Sequence, residues 1–189
     1  MPSELNHPSF QAESQRRDPY PRALAVTWRV LKAAVALNLA WVLFIVSMGT
    51  ALLVAPDATL TAVGASPTAD HSALLLGMRV MVPLGLVGAY LTHRILTRVI
   101  AMVQTVRDGD PFVAPNARRL EEIAWAALGI QLLHLAVGIV SAAASTAEQP
   151  LDVDWTFALT PWVAVLLLFV LARVFAHGTR MRDELEGVV

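Results

Sequence analysis

Four long stretches with almost no charged residues constrain this chain more than any other feature. Three of them contain no Asp, Glu, Lys or Arg, and the second contains only Arg79. They cover residues 33–55, 72–92, 123–147 and 155–172. A helix rises about 1.5 Å per residue and the hydrocarbon layer is about 30 Å thick, so each stretch is long enough to cross a membrane, the last with little to spare. Because backbone groups in lipid must bond within their own segment, the sequence predicts four transmembrane helices.

The composition agrees with a membrane protein and narrows its chemistry. Hydrophobic residues make up 56% of the 189 residues, above the 45–50% that is usual for soluble domains. The net charge of −1 gives no basis for direct binding to nucleic acid. The chain has no cysteine, which excludes disulfides, thiolate metal ligands and thiol catalysis. We therefore expect the lipid bilayer to be its main environment.

The distribution of basic residues predicts how the chain is threaded. Lys and Arg lie before the first stretch, between the second and third, and after the fourth. The other two connectors, residues 56–71 and 148–154, contain neither, and they carry aspartate and glutamate instead. Short basic loops stay in the cytoplasm, and tryptophans such as Trp28, Trp125 and Trp155 favour the membrane surfaces. The sequence predicts a multi-pass membrane protein with both termini inside.

Short connectors favour antiparallel neighbours, so we expect an all-α integral membrane fold, an up-down-up-down four-helix bundle. Residues 1–31 are predicted to be a disordered cytoplasmic tail. Residues 32–189 are predicted to form the transmembrane domain. Pro83 and Pro161 lie within the apolar stretches and are expected to kink their helices. Small residues four apart are close to what chance gives in so alanine-rich a chain.

The connector at residues 93–122 is patterned as a helical corner. Apolar residues in 95–106 recur at three- and four-residue steps, with arginines elsewhere on the wheel, so the second helix is predicted to continue to about Arg107. Gly109 can adopt the left-handed backbone conformation that commonly ends a helix, and Pro111 disfavours helix at the residue before it.

The second half of the corner predicts the start of the next helix. Phe112 is an apolar residue on a polar turn, and it is expected to plug between the helices on either side. Pro115 suits a first helical turn and Asn116 a turn or cap. Arg118 and Glu122 are four residues apart and are predicted to pair along the new helix.

At these residues the chain resembles a bacterial four-helix membrane family, the domain of unknown function 2975. GDPFVAPNARRLEEIAW is similar to the family's Gly-x-Pro-Phe turn followed by Asn and Arg-Leu, and LARVFAHGTRMRDELEGVV to its closing Phe-x-x-Gly helix. The resemblance covers residues 32–189. Val113 and Gly187 depart from the family pattern. The matching positions are Gly109, Pro111, Phe112, Asn116, Arg119, Leu120, Phe175, Gly178 and Glu184.

The resemblance implies a protein without established activity that is often encoded beside a small helix-turn-helix DNA-binding regulator. It therefore suggests a membrane protein that holds or signals to such a cytoplasmic regulator.

The C-terminal helix, predicted at residues 173–189, carries an apolar stripe at four- and three-residue steps. It could dock a partner or another copy of the chain, and the alternatives are packing on the 95–106 extension or lying on the lipid surface. The stripe is formed by Val174, Gly178, Met181, Leu185 and Val188, with Phe175 and Glu184 beside it.

Polar residues within the apolar stretches are costly in lipid and need a partner. Arg79 has three alternatives: it snorkels to the outer acidic connectors, it bonds inside the bundle, or it serves a ligand. The inner partners considered for it are His134, Gln131 and Asn38. His134 is expected to be a hydrogen-bonded core histidine, since a haem would want a second histidine at similar depth.

The motifs favour a non-enzymatic protein. The sequence offers no pattern for a nucleophile with its base, and Asp108-Gly109-Asp110 lacks the spacing of a calcium loop, so neither a catalytic residue, a metal nor a cofactor is expected. The leading hypothesis is a protein that binds or regulates a cytoplasmic partner. The alternative is a small transporter or ligand-binding bundle built on Arg79, His134 and Asn38. The sequence leaves open whether the chain pairs with a copy of itself.

Overall fold

The computed structural model describes residues 20–62, 64, 72–109, 113–144 and 158–186. All regular structure in these residues is α-helical, which confirms the predicted all-α class. The helices are α1 (Tyr20–Val54), α2 (Pro56–Ala62), α3 (Ser72–Arg107), α4 (Ala114–Ala144) and α5 (Leu159–Glu186).

Four of these helices are long and apolar enough to cross a membrane, as predicted. Their candidate spans are Ala25–Val54, Ser72–Arg107, Ala114–Ala143 and Leu159–Arg182. Within the most apolar window of each span, only between 11% and 22% of the residues are buried in the protein. So much exposed apolar surface is unfavourable in water, so the outer faces of these helices fit a lipid surrounding.

Each long helix packs against the next one along the chain, α1 on α3, α3 on α4 and α4 on α5. Among the described residues, α1 and α5 do not pack closely against each other. The four helices therefore form an open arrangement, with α3 and α4 in the middle and α1 and α5 at its two sides.

Glycines let α1 and α3 approach closely. A Cβ atom added at Gly49 would lie 2.9 Å from Cγ1 of Val82, and one added at Gly85 would lie 3.2 Å from Cδ1 of Ile45. The residue number rises on one helix as it falls on the other, so α1 and α3 are antiparallel. In lipid there is no hydrophobic driving force that brings apolar helix surfaces together. Close van der Waals contacts of this kind therefore supply much of the attraction between membrane helices.

Glycines also allow α3 and α4 to approach closely. A Cβ atom added at Gly129 would lie 3.0 Å from Cδ1 of Leu91, and one added at Gly88 would lie 4.0 Å from Cδ1 of Leu133. These pairs also run in opposite directions, so α3 and α4 are antiparallel.

The prediction about the start of the first span is wrong. Helix α1 begins at Tyr20, so residues 20–31 are helical and do not belong to a disordered tail; residues 1–19 lie outside the described part. Pro21 is compatible with a first helical turn, and Lys32 Nζ lies 3.7 Å above the Trp28 ring one turn away. The connector after α1 contains the short helix α2, for which no prediction was made.

The two prolines differ in position. Helix α3 continues through Pro83. Pro161, by contrast, is the third residue of α5, where no helical hydrogen bond is lost, so the physical cause of the predicted kink is missing there.

Gly49→Ala is expected to lower the free energy of unfolding by about 1 kcal/mol, because the new methyl group meets the stiff Val82 side chain. Val82→Ala in the same chain should remove that loss. The measurement is unfolding in mixed micelles with increasing SDS, followed by circular dichroism. Gly178→Ala is the control: its Cβ would meet nothing within 4 Å, so this change should be neutral or stabilising. Equal losses at Gly49 and Gly178 would contradict the role of close approach.

Candidate functional site

The corner between α3 and α4 has the predicted boundaries. Helix α3 ends at Arg107, and Gly109 has a φ of +90°, in the left-handed region that favours glycine. Helix α4 begins at Ala114, which places Pro115 in its first turn as expected. Pro111 and Phe112 lie outside the described residues, so the predicted plug stays a prediction.

Asn116 has a different role from the predicted turn or cap. It is the third residue of α4 and only 1% exposed. Its Nδ2 donates a hydrogen bond to Thr105 Oγ1 on α3 at 2.7 Å, and Thr105 Oγ1 donates to the Met102 carbonyl at 2.7 Å. The amide therefore joins the first turn of α4 to the last turns of α3.

Arg119 extends this link. Its Nη1 donates to Asn116 Oδ1 at 2.8 Å and to the Ala101 carbonyl on α3 at 3.3 Å. Leu120, the next residue, is buried. Three signature residues thus stabilise the corner through contacts within the protein: Asn116, Arg119 and Leu120. Their side chains already bond or pack against other residues of this chain.

Glu122 pairs across helices rather than along α4, so the predicted pair with Arg118 is wrong. Its Oε2 lies 3.3 Å from Arg94 Nη2 and also forms an ion pair with Arg98. Arg94 Nη1 additionally donates to the Tyr90 hydroxyl at 3.2 Å. Sequence spacing finds pairs within one helix, whereas these arginines become neighbours of Glu122 only when α3 and α4 fold back on each other.

These charges lie at one level of the helices. Lys32 and Glu122 are each 22 residues from the far ends of α1 and α4, at Val54 and Ala144, and Glu122 pairs with Arg94 and Arg98 of α3. At about 1.5 Å per residue, that distance is about 33 Å, close to the thickness of the hydrocarbon layer. We call this plane the charged level; its distance from the far helix ends fits the thickness of a membrane.

Helix α5 packs on α4 through one face and leaves the opposite face open. Val165, Ala172 and Thr179, seven residues apart, are buried, and the Phe169 ring meets the edge of Trp125 with centroids 5.1 Å apart.

The predicted stripe is on the open face. Val174 and Met181 are 59% and 53% exposed, and Gly178 has open space around it. The alternative in which the stripe packs on the 95–106 extension is therefore wrong for these residues. Phe175 is half-buried and Glu184 exposed, and the side chains of Leu185 and Val188 lie outside the described part.

A groove of about 970 Å³ runs between α1, α3 and α4 within the candidate spans. Asn38, Thr92 and His134 are the polar side chains that line it, and the other lining residues are apolar or glycine. Arg79 and Gln131 are not part of the lining. The four polar residues considered together from the sequence are therefore divided, and only Asn38 and His134 share a cavity.

One protein family has a sequence pattern that matches the part of this chain containing the corner. The family described as protein of unknown function DUF2975 matches residues 81–189, which is more than half of the chain. The chain belongs to the DUF2975 family. The match contains both quoted signatures and confirms the resemblance, although it begins within α3 and leaves out α1. No curated protein and no solved structure matches the chain.

Asn116→Leu is expected to lower the free energy of unfolding by about 1–3 kcal/mol, because the Thr105 hydroxyl and the Arg119 guanidinium each lose a hydrogen-bond partner. Unfolding followed by circular dichroism in detergent measures this. Arg118→Leu is the control, since Arg118 is exposed two positions away. A loss no larger at Asn116 than at Arg118 would refute the fastening role.

Proposed function

We propose that this DUF2975 protein is a non-enzymatic, multi-pass protein of the bacterial plasma membrane that binds a cytoplasmic partner through the end of α5. The observation that carries the proposal is the exposed stripe at Val174, Gly178 and Met181. Large apolar side chains that continue past the charged level, on a face that no described residue covers, are typical of a surface for another protein.

The proposed orientation places the charged level at the cytoplasmic surface. Lys32, Arg94, Arg98 and Arg173 supply basic side chains there, and short basic segments are retained in the cytoplasm. The antiparallel pairs α1–α3 and α3–α4 support an up-down-up-down path with both termini inside.

All four long helices continue past the charged level, since α1 begins at Tyr20, 12 residues before Lys32 and about 18 Å beyond this plane. Helix α3 runs 13 residues beyond Arg94 to Arg107, and α5 runs 13 residues beyond Arg173 to Glu186, or about 20 Å each. Helix α4 begins eight residues before Glu122, about 12 Å beyond this plane. This leaves a helical platform in the cytoplasm, rigid at the corner, with the stripe on its open side.

The stripe suits a partner that contributes a helix or an apolar groove. Val174 and Met181 are seven residues apart and so lie on one side of α5, about opposite to the buried Ala172 and Thr179. Gly178 between them allows a partner's backbone to come close.

The family resemblance suggests that the partner is a small helix-turn-helix regulator. A small helix-turn-helix regulator held at the membrane would be kept from its DNA, and a change in the membrane protein would release or recruit it. The chain itself would then contact the regulator and not the nucleic acid. A non-enzymatic role is consistent with a corner whose polar side chains are occupied by hydrogen bonds to each other.

The orientation can be tested cleanly because the chain has no native cysteine. Single cysteines at Ala58, Asp108 and Glu184 are treated in intact cells with a maleimide that does not cross the membrane. We expect labelling at Ala58 alone, and labelling at Asp108 and Glu184 only after the cells are opened. Labelling of Glu184 from outside would reject the orientation.

Met181→Glu is expected to reduce recovery of the partner at least tenfold, because it places a charge within the apolar contact. The tagged full chain is purified from its native membrane in mild detergent, and helix-turn-helix regulators that co-purify with it are identified and quantified by mass spectrometry. Arg180→Glu introduces the same side chain one position earlier and off the stripe, so recovery should fall much less. Equal recovery of the regulator with Met181→Glu and with the unaltered chain would show that the stripe does not bind it.

A further inference from the structure

The groove between α1, α3 and α4 presents polar groups at two depths. Asn38 lies six residues from Lys32 along α1, about 9 Å from the charged level. His134 lies 12 residues from Glu122 and 10 from Ala144 along α4, which is about the middle of the layer. Both side chains face the same cavity.

His134 has no hydrogen-bond partner among the described residues, and its side chain is exposed to the groove. An N–H group left unpaired in hydrocarbon is strongly unfavourable, because hydrocarbon offers no water to bond it. Asn38 is only half satisfied: one of its two Nδ2 protons is donated to the Ala89 carbonyl at 3.1 Å. The groove thus offers N–H donors inside an otherwise apolar lining.

The depth of His134 decides which class of molecule can reach it. The headgroup and ester groups of a phospholipid stay at the membrane surface, so at the middle of the layer it has only methylene groups to offer. A charged ligand is also disfavoured, because no Asp, Glu, Lys or Arg lines the groove. The occupant must therefore be neutral and able to place a polar group at the centre of the bilayer.

The donors specify the polar group. A ketone or quinone carbonyl accepts from an imidazole N–H and brings no donor of its own that would have to be satisfied in lipid. The volume of about 970 Å³ is at the upper end of ordinary ligand sites, which are about 300–1,000 Å³. Trp41 and Phe44, stacked with ring centroids 5.3 Å apart, supply a flat apolar surface on the α1 side.

We propose that this groove binds a neutral, lipid-soluble carbonyl compound of the quinone type, with its carbonyl hydrogen-bonded to His134 and its apolar tail along α1 and α3. The site is separate from the stripe on α5, so the proposal does not depend on the cytoplasmic partner. It concerns binding alone and involves no electron transfer.

The test uses the full chain in nanodiscs of phosphatidylcholine, titrated with a benzoquinone that carries a decyl tail. Trp41 lines the groove, so its fluorescence reports occupancy. We expect quenching with a saturable component, and Trp41→Phe should remove that component. His134→Leu should raise the half-saturating concentration about tenfold, whereas His134→Gln, which keeps an N–H donor, should stay within about threefold.

Gln131→Leu is the matched control, since Gln131 lies one turn away on α4 and does not line the groove; it should bind like the unaltered chain. Quenching that rises linearly and equally in all variants would mean that the quinone only partitions into lipid, and would overturn the proposal. So would an unchanged half-saturation in His134→Leu, or a saturable component that survives Trp41→Phe. A phospholipid or a second copy of the chain in the groove would appear as such an outcome.

Discussion

The hydrocarbon layer removes the force that folds soluble proteins, because an apolar side chain gains nothing by leaving lipid for another helix. What remains is close contact between helix surfaces and a small number of hydrogen bonds. The α1–α3 interface shows both, with Gly49 against Val82, Gly85 against Ile45, and Asn38 joined to the Ala89 carbonyl. Each helix obtains these close contacts and hydrogen bonds from its neighbours along the chain. An open arrangement of helices can therefore be held together in the same way as a closed ring.

Beyond the charged level, water is available and different interactions decide the structure. The corner is held by Thr105, Asn116 and Arg119, and the ion pairs of Glu122 with Arg94 and Arg98 lie between the corner and the membrane. Glu122 binds two guanidinium groups at once, and these partly exposed ion pairs add to the contacts between α3 and α4. The rigid corner therefore begins where the lipid ends.

The sequence predicts those features that depend on one segment at a time. The length of the apolar stretches gave the four spans, and Gly109 gave the end of α3, because a left-handed residue after a helix is a local requirement. The contacts that depend on two helices were missed. Glu122 has Arg118 four residues ahead of it and Arg94 and Arg98 across the hairpin, and only the fold shows which are its partners.

The same distinction explains Asn116 and the glycines. An asparagine near the start of a helix is usually predicted to cap it. The Asn116 amide instead bonds Thr105, because the antiparallel helix α3 places that hydroxyl opposite it. Gly49 and Gly129 are not distinguishable in the sequence from Gly178, yet the first two face side chains closely and the third faces open space. Composition was uninformative here because each glycine's role is set by the helix opposite it.

The open arrangement also bears on how a molecule would reach the intramembrane polar residues. A transporter must connect its site to water on each side in turn, and it does so by moving one set of helices against another around an enclosed cavity. The groove that contains Asn38 and His134 is instead bounded by three helices and lined almost entirely by apolar groups. Lateral entry from lipid requires no such motion, and it would select ligands by their solubility in the bilayer before any contact with the protein. Arg79, which lies outside that lining, would take no part in such entry.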